Sequence, residues 1–139
     1  MTDKPVLARN TTQVRVYYRD TDAGGVVYYA RYPEYMEIGR TELLREKGLT
    51  AARLVEDFRI VCPVVELNVH YKRSARYDDL LTVETIVTGV TAVRIFFENK
   101  IYNQKGELLC EGGTTNCSVD RETLRPVKFP DELLSLFQV

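Results

Sequence analysis

The sequence predicts an α+β fold in which an antiparallel five-stranded sheet wraps around one central helix. Two observations carry this expectation. One long stretch, Ala30 to Lys47, has its apolar residues at helical spacing, whereas most other apolar segments are strand-like and rich in β-branched residues. The last three strand-like stretches are joined by short turn-forming connectors, which favours an antiparallel meander over alternating parallel units. With 139 residues, 45% hydrophobic and 28% charged, the chain suits one domain spanning residues 1–139 with a modest core.

Residues 1–12 read as a polar, aperiodic N-terminal arm. Gln13 to Tyr18 reads as a strand, with Val14, Val16 and Tyr18 alternating with Gln13, Arg15 and Tyr17. The run Asp20-Thr21-Asp22-Ala23-Gly24-Gly25 is dense in turn formers, so the backbone must change direction there. In the helix, Tyr32, Tyr35, Met36, Gly39 and Leu43 form one stripe. Pro33 suits its first turn, Lys47 its last, and Gly48 a C-terminal stop. Gly39 costs about 1 kcal/mol relative to alanine in a helix interior, which predicts close approach of the helix to another backbone. A short second helix is expected over Thr50 to Asp57.

Strands follow over Phe58 to Tyr71, with a break at Pro63, then Leu80 to Val90, Val93 to Tyr102 and Leu108 to Val119. Val93, Ile95, Phe97 and Ile101 share a face, and Pro130 to Phe137 closes the chain as a short helix. A curved sheet around a central helix is the hot-dog arrangement. It leaves an edge strand whose backbone groups need a partner, which predicts a homodimer or homotetramer.

Nineteen basic and twenty acidic side chains give a formal charge of -1, so no global field draws the protein to nucleic acid or to an anionic membrane. No signal-like N-terminus and no long apolar run is present, so the cytoplasm is the expected compartment and no membrane span is expected. One histidine, His70, and three cysteines, Cys62, Cys110 and Cys117, offer no metal-site spacing. The cysteines read as reduced, buried thiols and His70 as a strand residue, and no GxSxG elbow exists for a serine triad. Neither metal nor cofactor is expected.

Carboxylate chemistry is the remaining candidate. Tyr17 to Ala30 places Asp20 and Asp22 in a glycine-bearing loop that runs into a helix N-terminus, where free N–H groups and the dipole stabilise an oxyanion. Asx turns or helix caps would use the same aspartates. A calcium loop is excluded because its twelfth position would be Arg31 instead of a bidentate glutamate. A phospho-aspartate mechanism at Asp20 would need an alternating α/β chain.

The segment Tyr18-x-x-x-Asp22-x-x-Gly25-Val26-Val27-Tyr28, followed by Tyr32 and the helix, resembles the active-site signature of the 4-hydroxybenzoyl-CoA thioesterase family and its Tol-Pal-associated acyl-CoA thioesterase branch. Ser74 to Thr85 and Leu124-Arg125-Pro126 with Pro130 resemble two later blocks of that family. The resemblance implies acyl-CoA hydrolysis, with Asp22 as nucleophile or general base and the Tyr29 backbone N–H polarising the carbonyl. It also implies that Tyr18 lies beside the carboxylate and that Gly25, Val26 and Tyr28 border the substrate. Many members of the Tol-Pal branch carry histidine where this chain has Tyr29, a change that leaves the backbone role intact. Arg125, and Arg94 on the fourth strand, are implied contacts for the coenzyme A phosphates, ahead of the cluster Lys72, Arg73 and Arg76. An acyl carrier protein thioester would serve the same chemistry. The alternative from another class is a non-catalytic module that holds acyl thioesters or docks onto a partner.

Overall fold

The computed structural model describes residues 4–137. Strand β1 (Ala8–Arg15) leads through two 3-10 turns, Tyr18–Asp20 and Tyr29–Arg31, into helix α1 (Tyr32–Glu46). Helix α2 (Ala51–Phe58), short strand β2 (Ile60–Val61) and strand β3 (Val64–Tyr71) follow. The meander β4 (Leu80–Val90), β5 (Arg94–Tyr102) and β6 (Leu108–Cys117), short strand β7 (Val119–Asp120) and helix α3 (Asp131–Phe137) complete the order. The main sheet runs β1-β4-β5-β6-β3, with every neighbouring pair antiparallel. β2 and β7 form a separate two-stranded ladder. The expected five-stranded antiparallel sheet and central helix are therefore present.

β1 departs from expectation at both ends. It begins at Ala8 and pairs from Ala8↔Val87 to Arg15↔Leu80, so residues 8–12 are not an arm. Residues 1–3, assigned to the same arm, lie outside the described residues. Polar pairs rather than apolar alternation hold this segment: Asn10 Nδ2 donates to Glu46 Oε2 at 2.7 Å, and Arg9 pairs with Glu84 at 3.3 Å. The strand also stops before Tyr18. Val16 N–H donates to Asp79 O at 2.9 Å, after which the chain turns through Tyr18–Asp20.

The expected stripe of α1 is the face it buries: Tyr32, Tyr35, Met36, Gly39 and Leu43. At Gly39 a Cβ would lie 2.2 Å from Thr85 Oγ1 and 2.8 Å from Val83 Cγ1, so the helix backbone rests directly on β4. Gly48 adopts φ +79 beyond the helix, and Thr50 Oγ1 accepts the Arg53 N–H at 3.1 Å to cap α2. Two apolar clusters fill the space under α1. One surrounds Tyr32, Tyr35 and Met36 at its N-terminal end with Leu81, Ile101 and Leu109; the other surrounds Leu43 with Leu54, Phe97 and Phe129.

β3 is an edge of the sheet, with Val64, Val65, Leu67 and Tyr71 each 43 to 49% exposed. All three cysteines are free thiols, and burial pushes the Cys110 thiol up to about 12. Among the described residues no helix is long and apolar enough to cross a membrane.

Candidate active site

The loop between β1 and α1 separates its two aspartates by burial. Asp20 points inward: its Oδ2 accepts the Tyr17 N–H at 2.9 Å, its Oδ1 lies 3.8 Å from Arg31 Nε, and the residue is 7% exposed. Burial, and then the Asp20 charge, raise the pKa of the Tyr35 phenol. Asp20 is thus a structural anchor, which together with the antiparallel sheet removes the phospho-aspartate reading.

After Asp20 the backbone closes on itself. Thr21 bridges Val27, with Asp22 N–H donating to Val26 O and Tyr28 N–H to Asp20 O, both at 2.9 Å. Gly25 N–H donates to Asp22 O at 3.0 Å and Gly25 takes φ +80, a conformation that suits glycine. Asp22 stands exposed at the tip. Its Oδ1 accepts the Gly24 N–H at 2.8 Å, the Asx turn that the composition allowed, while Oδ2 has no hydrogen bond among the described residues. One oxygen is fixed and the other is available for chemistry.

Tyr29 opens the 3-10 turn that leads into α1, and its N–H has no acceptor among the described residues. Unsatisfied N–H groups at a helical entrance, at the positive end of the dipole, suit a developing oxyanion. The Tyr29 carbonyl accepts the Tyr71 hydroxyl at 2.9 Å, which anchors the following Tyr29–Ala30 peptide to β3. The Tyr28 and Tyr29 rings lie 4.7 Å apart, and both residues are exposed. The Tyr28 phenol is raised above its ordinary pKa chiefly by Tyr29, with the Asp22 charge a smaller cause.

A second wall is contributed by the β3–β4 connection, which the sequence offered only as a lower-ranked basic cluster for phosphates, Lys72, Arg73 and Arg76. Val27 N–H donates to Ala75 O at 2.9 Å and Val26 bridges Arg76. Ala75 N–H in turn donates to the buried Tyr32 hydroxyl at 2.9 Å. Tyr32 therefore ties the start of α1, the connection and the Asp22 loop together. The signals in the sequence were that basic cluster and the Ser74–Thr85 block, neither of which gave a contact partner.

The structure brings Asp22, Gly25, Val26, Tyr28 and Tyr29 into one loop. Tyr18 is 79% exposed and packs edge-on against Tyr77 at 5.9 Å; it is no core aromatic, and no hydrogen bond joins it to Asp22 among the described residues. No hydrogen bond or bridge joins Arg94 or Arg125 to Asp22 among the described residues. Arg94 opens the nine-residue β5 opposite Cys117, roughly 27 Å along the strand from Tyr102 at the other end. Arg125 lies beyond β7, its carbonyl accepting the Asp120 N–H at 2.9 Å. Of the lower-ranked cluster, Lys72 and Arg73 pair with Glu111 and Glu107, whereas Arg76 borders the loop with no carboxylate within 4.0 Å among the described residues. His70 sits exposed on β3 opposite Glu111.

A family model for the thioesterase-like superfamily matches residues 16–137. The chain belongs to that family. An acyl-CoA thioesterase, YbgC of Haemophilus influenzae, is 42% identical over 125 residues, covering 89% of this chain and 90% of that protein. The acyl-CoA thioester hydrolase YbgC of Escherichia coli O6:H1 is 36% identical over 125 residues, covering 90% and 92%. Among solved structures, a DHNA-CoA thioesterase from Staphylococcus aureus superposes with a TM-score of 0.88 at 28% identity, over 93% of this chain and 88% of that one. The thioesterase family and hot-dog fold expected from the sequence are both matched.

Proposed function

We propose that this thioesterase-family chain, a single domain, hydrolyses acyl-CoA thioesters to the free acid and coenzyme A, with Asp22 as its catalytic carboxylate. The observation that carries the reading is an exposed carboxylate, with one oxygen held by Gly24 N–H, in the loop that delivers to the helix entrance a Tyr29 N–H with no acceptor among the described residues. The names of the relatives supply the substrate class. The cytoplasm is the compartment this reading assigns.

Two balanced routes use the same atoms. As a nucleophile, an Asp22 oxygen bonds to the thioester carbonyl carbon, the C–S bond breaks, and the departing thiolate takes up a proton. Water then cleaves the acyl-aspartyl anhydride. As a general base, Asp22 takes a proton from water, the water oxygen bonds to the carbon, and the proton passes to sulfur as the C–S bond breaks. In both, the carbonyl oxygen gains charge where the Tyr29 N–H points. Tyr18 and Tyr28 flank the entrance, and Gly25 and Val26 shape the turn that presents the carboxylate.

The pantetheine arm of coenzyme A separates its phosphates from the reacting carbon, so arginines remote from Asp22 suit phosphate contacts. We assign Arg94 and Arg125 of a second copy to them, in a homo-oligomer joined along the exposed β3 edge. Asp22→Asn tests the central claim on short-chain, medium-chain and aromatic acyl-CoAs, read by thiol release. Turnover is lost on all of them while the melting temperature holds. An unchanged kcat would sink the mechanism, and stoichiometric acyl-CoA binding by the wild type without thiol release would favour a non-catalytic module.

A further inference from the structure

A partly open cavity of about 220 Å³ lies beside the C-terminal half of α1, bordered by α2, β2 and the sheet. Its apolar walls include Leu44, Leu54, Ile60, Phe97, Phe129 and Leu133. Four polar side chains share the lining: Glu37, Arg40, Thr41 and Asn116. Asn116 is 7% exposed, and its Nδ2 donates to Cys62 O at 2.8 Å while its buried Oδ1 has no partner among the described residues. Arg40 reaches the cavity from α1, flanked by the exposed Glu37 and Thr41.

Arg40 differs from the other half-buried arginines. Arg31 pairs with Glu34 and Asp20, and Arg53 with Asp57 and Glu132, whereas Arg40 has no carboxylate within 4.0 Å and no hydrogen bond among the described residues. Burial lowers its pKa, and the nearby Glu37 charge offsets this only in part. A guanidinium stripped of water without a partner is costly, and a carboxylate matches its planar fork. An empty packing defect has no use for that charge or for the unpartnered Asn116 oxygen.

We infer that this cavity binds a small apolar carboxylic acid, with the carboxylate on Arg40 and the hydrocarbon among the leucines and phenylalanines. A dry cavity of about 150 Å³ holds benzene, so the size suits a single substituted ring or a medium-length chain. Acids of this class are also what thioester hydrolysis releases, but the site lies away from the Asp22 loop and does not rest on that reaction.

Titration calorimetry of the full-length protein with octanoate and with 1-octanol tests the inference. At neutral pH octanoate binds at least about ten-fold more tightly, roughly the 1.4 kcal/mol expected of one charge-assisted contact. Arg40→Gln removes the preference, Arg40→Lys keeps part of it, and in the wild type it vanishes below the pKa of the ligand itself. Asp22→Asn leaves octanoate binding unchanged. Equal affinity for acid and alcohol, a preference that survives Arg40→Gln, or no binding of either ligand would overturn the assignment. Loss of octanoate binding in Asp22→Asn would overturn it too, by moving the acid to the catalytic loop.

Discussion

Replacing Tyr29 by proline deletes one backbone hydrogen-bond donor without disturbing the main-chain path. The Tyr29 N–H has no acceptor among the described residues, so the fold loses no bond. Tyr28, which would precede the proline, already sits at φ -60 and ψ 133, the extended conformation that a following proline demands. Tyr29 is the first residue of a 3-10 turn, where a fixed φ near -65° is tolerated. Its carbonyl stays available to the Tyr71 hydroxyl. The substitution also removes the ring packed on Tyr28 at 4.7 Å, so Tyr29→Ala is the control. If the N–H stabilises the oxyanion, kcat of the proline variant falls about 10²- to 10³-fold below that of the alanine variant, about 2.7–4 kcal/mol of transition-state stabilisation. Thiol release under saturating acyl-CoA reads the rate, and thermal melting checks that both variants fold alike. A proline variant within about three-fold of the alanine variant, equally stable, would refute the oxyanion role.

Gly39→Ala opposes two effects of different sign. Helix propensity alone stabilises by about 1 kcal/mol, but a Cβ 2.2 Å from Thr85 Oγ1 predicts net destabilisation of about 1–3 kcal/mol in urea melts; a stabilised variant contradicts the packing. Tyr32→Phe leaves the Ala75 N–H without its buried acceptor, at about 1–3 kcal/mol, lowering the melting temperature by about 3–10 °C; an unchanged melting temperature argues against that bond. Co-assembly of inactive Asp22→Asn with a variant lacking both Arg94 and Arg125 restores activity above either parent if the groups act across subunits. A monomeric solution mass, or no recovery, rejects that arrangement.

The long helix and the meander were legible because burial there is periodic: all five residues of the α1 stripe are the ones it hides, and Leu80 to Val90 keeps its bounds. Ala8 to Thr12 was not, since Asn10 and Arg9 hold their strand through Glu46 and Glu84, contacts with segments distant in the chain. The same reason hid half of the candidate site. Asp22, Gly25 and Tyr29 form one continuous run, but Tyr71, Ala75 and Arg76 meet it only after the sheet has formed. Asp20 and Asp22 are chemically alike in sequence, and only the inward turn at Tyr18–Asp20 assigns one to anchoring and the other to solvent.

The missing side chain at Gly39 has a reach beyond its own contact. It sets how low α1 rides on β4, and the same helix carries Tyr32, whose hydroxyl holds Ala75, whose carbonyl holds Val27 in the Asp22 loop. Helix height is therefore a coordinate of the Asp22 loop as well as of the core. With Asp22 and the Tyr29 N–H in the roles proposed for them, a substitution that lifts the helix tilts one against the other without touching either residue, so changes in the sheet-facing stripe should register in the rate before the fold gives way.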